Sequence, residues 1–481
     1  MSSAKEPVTR RFGNGLTVLI KEDKSHPVVS LQYWVGTGSM NEGHWQGSGL
    51  SHLLEHLVFK GTAHFSGQEL ARKVQERGGH WNAYTSVNRT VYYIDGPAES
   101  WQIFLNLLTE LVFFPTFPED EMEREKEVVR REMAMYADDP DSVAYQLLMQ
   151  TLYLKHPRRW PVLGERAAFD CLTRQDVLDY HASRYVPNNV VLSIAGDVDA
   201  AEILSHLELL VEDLKSRPLN REPIPHEPHQ FGSRRVRKEF AVPYSKLHLA
   251  WRLPCSAHPD TPALSALSSI LGGGRSARFY EKFHDRLGLV YSIEVHSNQS
   301  ETDEGAFTIS MDVDRAQRDK VRDLVLQELR NLAEEDFTED LKRVCKQTRV
   351  SRLRRRSSAS GVASEMGADW FGSRNLNLSS EWQEAIERVT TEDLHRVCST
   401  WLSSPNVTEV SLDPPGSNAG DEERASASAG TALSEHVLGN GMKVVIREDH
   451  RLPLAYACMA FKAGCRAENE HDAGVTDLMS E

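Results

Sequence analysis

The chain has 481 residues, well past the size at which one hydrophobic core stops growing, so two or more domains are expected. With 40% apolar and 26% charged residues it has the balance of a soluble globular protein, not of a disordered or membrane-embedded one. Lys plus Arg number 55 against 70 Asp plus Glu, a sum of −15 that argues against a general nucleic-acid binder, whose phosphate contacts need a basic surface.

The N-terminal MSSAKEPVTRRFGNG lacks the apolar core of a secretory signal, and no stretch approaches the roughly 20 apolar residues needed to span a bilayer. A β-hairpin is expected next: the turn residues Gly13–Gly15 lead into LTVLIKED, and VVSLQYWV follows a second turn at Ser25–Pro27. Helices are predicted over 46–59 and from Gly67 to about Arg77, then a strand at 91–96. Longer helices are predicted over 99–114 and 118–136, and a buried strand over 190–198. The stretch 216–230 carries four prolines among polar residues and reads as a linker. Beyond it come a strand at 246–253, a helix near 260–271, a glycine turn at 272–274, and helices over 315–335 and 338–356. Six scattered cysteines, with no CxxC pair, favour a reducing compartment, so a cytoplasmic location is expected. Residues 413–432 form a Pro/Gly/Ser/Ala run expected to be a second linker.

After that linker the start of the chain repeats itself. Gly15, Asp23, Pro27 and Gly38 match Gly441, Asp449, Pro453 and Gly464, all at an offset of 426. One residue is then lost and Gly49 meets Gly474, which sets Asp477 opposite His52, Ser480 opposite Glu55 and Glu481 opposite His56. A hairpin with one helical turn cannot bury its own faces, so 433–481 reads as the start of a degenerate, truncated repeat.

The chemistry concentrates in His52-Leu53-Leu54-Glu55-His56. Residues four apart lie one above the other on a helix, so both imidazoles can reach one ion, with Glu55 beside it. A catalytic zinc takes three protein ligands and keeps one position open for water, so a third ligand must come from elsewhere. The acidic segment 119–133 offers Glu132, with Glu125 two turns earlier on the same face as an orienting carboxylate. Zinc lowers the pKa of its water to about 7, and Glu55 can take the proton and pass it to a leaving amine. A blander reading stands beside this one: neutral core histidines among Leu50, Leu53, Leu54 and Leu57, and a solvated acidic helix face. The run Arg352–Arg356 is expected to be a solvated helix face.

The combination resembles the pitrilysin-like (HxxEH, inverzincin) zinc metallopeptidases, a superfamily that includes the mitochondrial processing peptidase and insulin-degrading enzyme. The likeness is carried by GLSHLLEHLVFKGT at 49–62, NAYTS at 82–86, EREKEVVRREM at 123–133, HPRRWPVLG at 156–164 and RYVPNNVVLSIAGDVD at 184–199. It continues through LGGGRSARFY at 271–280 and GLVYS at 288–292. It implies His52, His56 and Glu132 as zinc ligands, Glu55 as general base and Glu125 as supporting acid, with Asn82 and Ala83 on an edge strand that binds substrate backbone. The family's second domain supplies an Arg and a Tyr seven residues apart. Tyr291 fits the tyrosine, but His284 stands where the arginine belongs, which leaves His284, Arg286 or Arg278 to serve.

The expected architecture is therefore α+β. Two homologous domains, each an antiparallel-rich sheet with helices on one face, are expected to form a clamshell: a zinc-bearing domain at 1–215 and a substrate-contacting one at 231–412. The expected function is zinc-dependent endopeptidase hydrolysis of peptides or unfolded polypeptides, with no nucleic-acid partner. The alternative is a non-catalytic or partner-dependent subunit of a larger peptidase-like assembly, paired with a second peptidase-like half or with its own copy.

Overall fold

The structure, a computed structural model, describes residues 6–219, 222–299, 305–402, 405–415 and 434–446. The chain divides into two compact units, Met1–Gly416 and Ser417–Glu481.

The first half of the larger unit supplies β1 (Val8–Arg11), β2 (Thr17–Glu22) and β3 (Val28–Val35), then helices α1 (Leu50–Leu57) and α2 (Gly67–Gln75). After β4 (His80–Thr85) and β5 (Thr90–Pro97) come α3 (Trp101–Phe113), α4 (Glu119–Asp138), α5 (Pro140–Leu152), α6 (Arg166–Asp170) and α7 (Arg174–Arg184). β6 (Val190–Gly196) and α8 (Ala200–Leu210) close it. The second half supplies β7 (Arg234–Glu239), β8 (Ser245–Leu253), α9 (Thr261–Gly272), β9 (Val290–Asn298) and β10 (Gly305–Val313). Its further helices include α10 (Arg318–Asn331), α11 (Thr338–Arg355) and α12 (Ala359–Ser373), and its last strand is β11 (Thr408–Asp413).

The first sheet runs β1-β2-β6-β3-β5-β4 and the second β7-β11-β8-β10-β9. Setting β7 to β11 against β2 to β6 in chain order makes the two sheet orders identical apart from β1, which the second sheet lacks among the described residues. Each sheet has one parallel pair, β2 with β6 and β7 with β11, among antiparallel neighbours. The expected hairpin between LTVLIKED and VVSLQYWV does not form. Strand β6, buried at all seven residues, inserts between them, and β2 turns back on β1 instead. A strand so apolar is stable only with both edges paired and both faces covered.

Both faces of each sheet are covered, where helices on one face were expected. Alternation along the strands shows it: Val18, Ile20, Tyr33 and Val35 enter the main core with α1, α3, α7 and α8, whereas Leu19 and Trp34 face the other way. That second face is closed by α12, which contributes Ala363 and Met366. Gly367 permits the approach, because a Cβ there would stand 2.3 Å from the Trp34 ring. Ser193 Oγ donates to the Ala363 carbonyl at 2.7 Å. The exchange is mutual, since α5 from the first half lays Leu148, Met149 and Leu152 on Ala250, Ala306 and Val410 of the second sheet.

The arginine run on α11 is not a solvated face throughout. Arg352 and Arg356 donate to the buried Glu365 at 3.0 and 2.9 Å, pinning α11 to α12. Asp413, placed at the head of the second linker, closes β11 and is buried against Arg318 and Ser245.

In the smaller unit, β12 (Ser434–Val437) pairs with β13 (Lys443–Ile446), and Ser434↔Ile446 repeats the register Val8↔Ile20. Gly441 has φ 85° where Gly15 has 91°, and the Asn440 and Asn14 side chains each accept the backbone N–H two residues on at 3.1 Å. The internal repeat is therefore structural as far as Ile446. The matches at Asp449, Pro453, Gly464, Gly474, Asp477, Ser480 and Glu481 lie outside the described residues, as does most of 413–432.

Candidate metal centre

Helix α1 begins at Leu50, four residues later than expected, because Gly47 and Gly49 hold φ of 79° and 72°, a left-handed backbone that ends any helix there. Leu50, Leu53, Leu54 and Leu57 recur at helical spacing and are fully buried. His52, Glu55 and His56 consequently share the opposite, half-buried face, so the two histidines are not core residues.

That face meets α4. His52 Nε2 lies 3.8 Å and His56 Nε2 3.9 Å from Glu132 Oε2. Among the described residues these three form the one His/Cys/Asp/Glu group whose ligand atoms all lie within 4.8 Å of one another. The separations are a few tenths wider than the roughly 3.4 Å that bonds of about 2.1 Å give at tetrahedral angles. His56 sits between the two carboxylates of α4, with Nε2 toward Glu132 and Nδ1 3.1 Å from Glu125 Oε2. Sequence reading passed over Lys60, one turn after His56, whose Nζ lies 2.6 Å from Glu125 Oε1. Its spacing from His56 was the available signal.

The electrostatics favour a cation. Burial, helped by the neighbouring His56, pushes His52 down to about 3, so its ring is neutral near pH 7 and keeps a lone pair to donate. Burial would raise the Glu125 carboxyl, but hydrogen bonds from His56 and Lys60 outweigh it and hold the group below the usual range. Burial raises Glu55, and the Thr85 hydroxyl and His56 offset this only in part. Two imidazole nitrogens and one carboxylate oxygen, with one imidazole oriented by a further carboxylate, suit zinc.

Asn82 and Ala83 lie on β4, which among the described residues pairs with β5 alone and forms an edge of the first sheet beside α1. The Ala83 N–H is taken locally by Asn82 Oδ1 at 2.8 Å. Tyr291 and His284 belong to the second half. The Tyr291 hydroxyl donates to Asp314 at 2.8 Å, and the His284 ring stacks on Tyr280 at 4.3 Å and meets Asp285 at 2.7 Å. Of the arginines weighed for the family's substrate contact, Arg278 is held by Asp340 and Glu335 and packs on Phe337. Arg286 is exposed and pairs with Glu281.

A family model described as Insulinase (Peptidase family M16) matches residues 17–166, and one described as Peptidase M16 inactive domain matches 172–347. An uncharacterized zinc protease of Mycobacterium tuberculosis is 30% identical over 299 residues, covering 61% of this chain and 67% of that protein. The chain belongs to the pitrilysin-like M16 family. All five residues of the histidine and carboxylate cluster, His52, Glu55, His56, Glu125 and Glu132, fall in the first matched segment. A further M16 relative, an uncharacterized zinc protease of Rickettsia felis, is 27% identical over 406 residues, or 82% of this chain and 94% of that one. The crystal structure of a protease from Helicobacter pylori superposes on this M16 chain with a TM-score of 0.78 at 26% identity, covering 85% of this chain and all of that one. Among the described residues no helix is long and apolar enough to cross a membrane.

Proposed function

We propose that the chain is a zinc-dependent endopeptidase acting on peptides or unfolded segments. The observation that carries this is the convergence of His52 Nε2, His56 Nε2 and Glu132 Oε2 from two helices, with Glu55 on the same face of α1. In this reading His52, His56 and Glu132 hold the ion, and Glu125 with Lys60 orients His56. Zinc bound there supplies a Lewis acid that acidifies water and polarises a carbonyl. Glu55, kept less acidic by burial, takes the proton from the attacking water and returns it to the leaving nitrogen. The edge position of β4 supports binding of the substrate as an added strand over Asn82 and Ala83, and Tyr291 and His284 are proposed as further contacts from the second domain. We take 1–215 and 231–412 as the two domains, the second extended to Asp413 by β11, with the rest of 413–432 as linker and 433–481 as the start of the third repeat.

Cleavage of a quenched fluorescent peptide by the wild type and by Glu55→Gln tests the proposal. Removing the base while keeping the ligands should leave about one zinc per chain and lower kcat by several orders of magnitude. A wild type that retains no zinc after dialysis against trace metal, or a mutant with undiminished activity, sinks it.

A further inference from the structure

Helix α1 carries both histidines, yet its own N-cap is Gly49, which has no side chain to satisfy the first-turn N–H groups. The acceptor comes from Glu42, nine residues before Ser51. Its Oε1 takes the Ser51 N–H at 2.8 Å, the role an N-cap oxygen normally plays toward the second or third helical residue. Glu42 has no exposed surface, and neither has Ser51, Thr37 or Tyr180. From Ser51 the network continues: its Oγ lies 2.7 Å from the Tyr180 hydroxyl, which lies 2.6 Å from Thr37 Oγ1. Thr37 is fixed in turn by its carbonyl, which accepts from Thr90 on β5. The start of the histidine-bearing helix is thus tied to α7, to the end of β3 and to β5 by buried polar groups.

A carboxyl buried this completely is costly unless hydrogen bonds offset the loss of water, and the Ser51 N–H supplies one here. The surrounding backbone is equally constrained. A Cβ on Gly49 would stand 2.0 Å from the Leu163 carbonyl oxygen, and one on Gly164 would stand 2.3 Å from the Ser48 carbonyl carbon. Loop 46–49 therefore rests against the end of HPRRWPVLG, and the Glu165 N–H bonds the Gly47 carbonyl at 2.8 Å. With the loop fixed and the four leucines packed, the Glu42–Ser51 bond holds the first turn of α1 in register, beside the Ser51–Tyr180 bond. A slip there would move His52, the next residue, directly.

We infer that Glu42 is a positioning residue. Its buried side chain caps α1 and, through Ser51 and Tyr180, sets the orientation in which His52 and His56 meet Glu132. This rests on the peptidase reading for its consequence, but not for the cap itself. Burial pushes the Glu42 carboxyl up to about 8, so near pH 7 it acts mainly as a neutral acceptor and glutamine is its close substitute.

The test uses the full chain with Glu42→Ala, Glu42→Gln and Tyr180→Phe. Zinc affinity is read by competition with a chromophoric chelator, and amide exchange across 50–57 by mass spectrometry. Glu42→Ala should bind zinc about 10- to 100-fold more weakly, the usual range for outer-shell partners, and exchange faster in 50–57 than elsewhere. Glu42→Gln should recover wild-type affinity to within about threefold. A purely structural role would lower stability throughout and leave no local signature in the exchange. Folded Glu42→Ala with wild-type affinity, or with loosening spread evenly over the chain, overturns the inference. If Glu42→Ala does not fold, Tyr180→Phe decides by the same two readings: a smaller loss of the same kind supports it, and none overturns it. A wild type without zinc would end the peptidase reading, and exchange across 50–57 alone would then uphold or overturn the cap.

Discussion

His56 illustrates how much a proposed metal ligand depends on what stands behind it. One ring nitrogen is turned toward Glu132 because the other is held by Glu125, and Glu125 is held in place by Lys60. The Lys60–Glu125 pair is partly sheltered, at 29% and 10% side-chain exposure, so it escapes much of the screening that makes surface ion pairs nearly worthless. Replacing Lys60 by Met keeps the aliphatic stem and removes the charge. The expected result is a roughly tenfold weaker zinc affinity with little change in Tm. Unchanged affinity would mean that the lysine only decorates the surface. In the sequence His52, Glu55 and His56 announced themselves by spacing alone, and Glu132 by its helix and its distance from Glu125. Lys60 and Glu42 did not stand out, because each is a single charged residue whose meaning comes from a side chain it meets only after folding.

At the level of elements, α1 is a short helix of eight residues whose position is set by its ends. Helices this short have little stability of their own and rely on packing. Four leucines provide that packing, and the glycines at 49 and 164 let two loops approach more closely than any side chain would allow. Gly49→Ala combines a left-handed φ with a Cβ 2.0 Å from a carbonyl oxygen. Strain at such a position costs roughly 1–3 kcal/mol before the clash is counted, so we expect a clear fall in Tm together with weaker zinc binding. Ala tolerated at 49 with wild-type Tm would show that the two loops can separate freely. The expected helix over 46–59 was too long for this reason: its apolar spacing was read correctly, and the glycines that start it late were not.

Across the molecule, each sheet borrows a helix from the other half of the chain. Without α12, Leu19, Trp34, Val91 and Val191 would be left uncovered; without the second sheet, Leu148, Met149 and Leu152 of α5 would be. At about 1.5–3 kcal/mol for each large side chain fully buried, four such residues represent roughly 6–12 kcal/mol, as much as the net stability of a typical domain. Residues 1–215 expressed alone should therefore aggregate or bind a hydrophobic dye. Co-expression with 216–481 should restore a single soluble species on gel filtration. A monodisperse, dye-silent 1–215 fragment would show that the exchanged helices are dispensable.

The sequence by itself pointed to the class of the fold, the candidate site and the repeated hairpin, because each is written locally. Helical spacing brings the histidines together, strand composition marks β3 and β6, and matched glycines and asparagines mark the copied hairpin. Only the tertiary structure decided which strands pair, since the partner of β2 lies some 170 residues away and nothing local distinguishes β6 from β3 as its neighbour. The same holds for the second faces of the sheets. An apolar helix such as α5 or α12 shows that it must be buried, but where depends on the surface left open when the rest of the chain has folded. Glu42 belongs with these, because a buried carboxyl has a role only through the helix it caps.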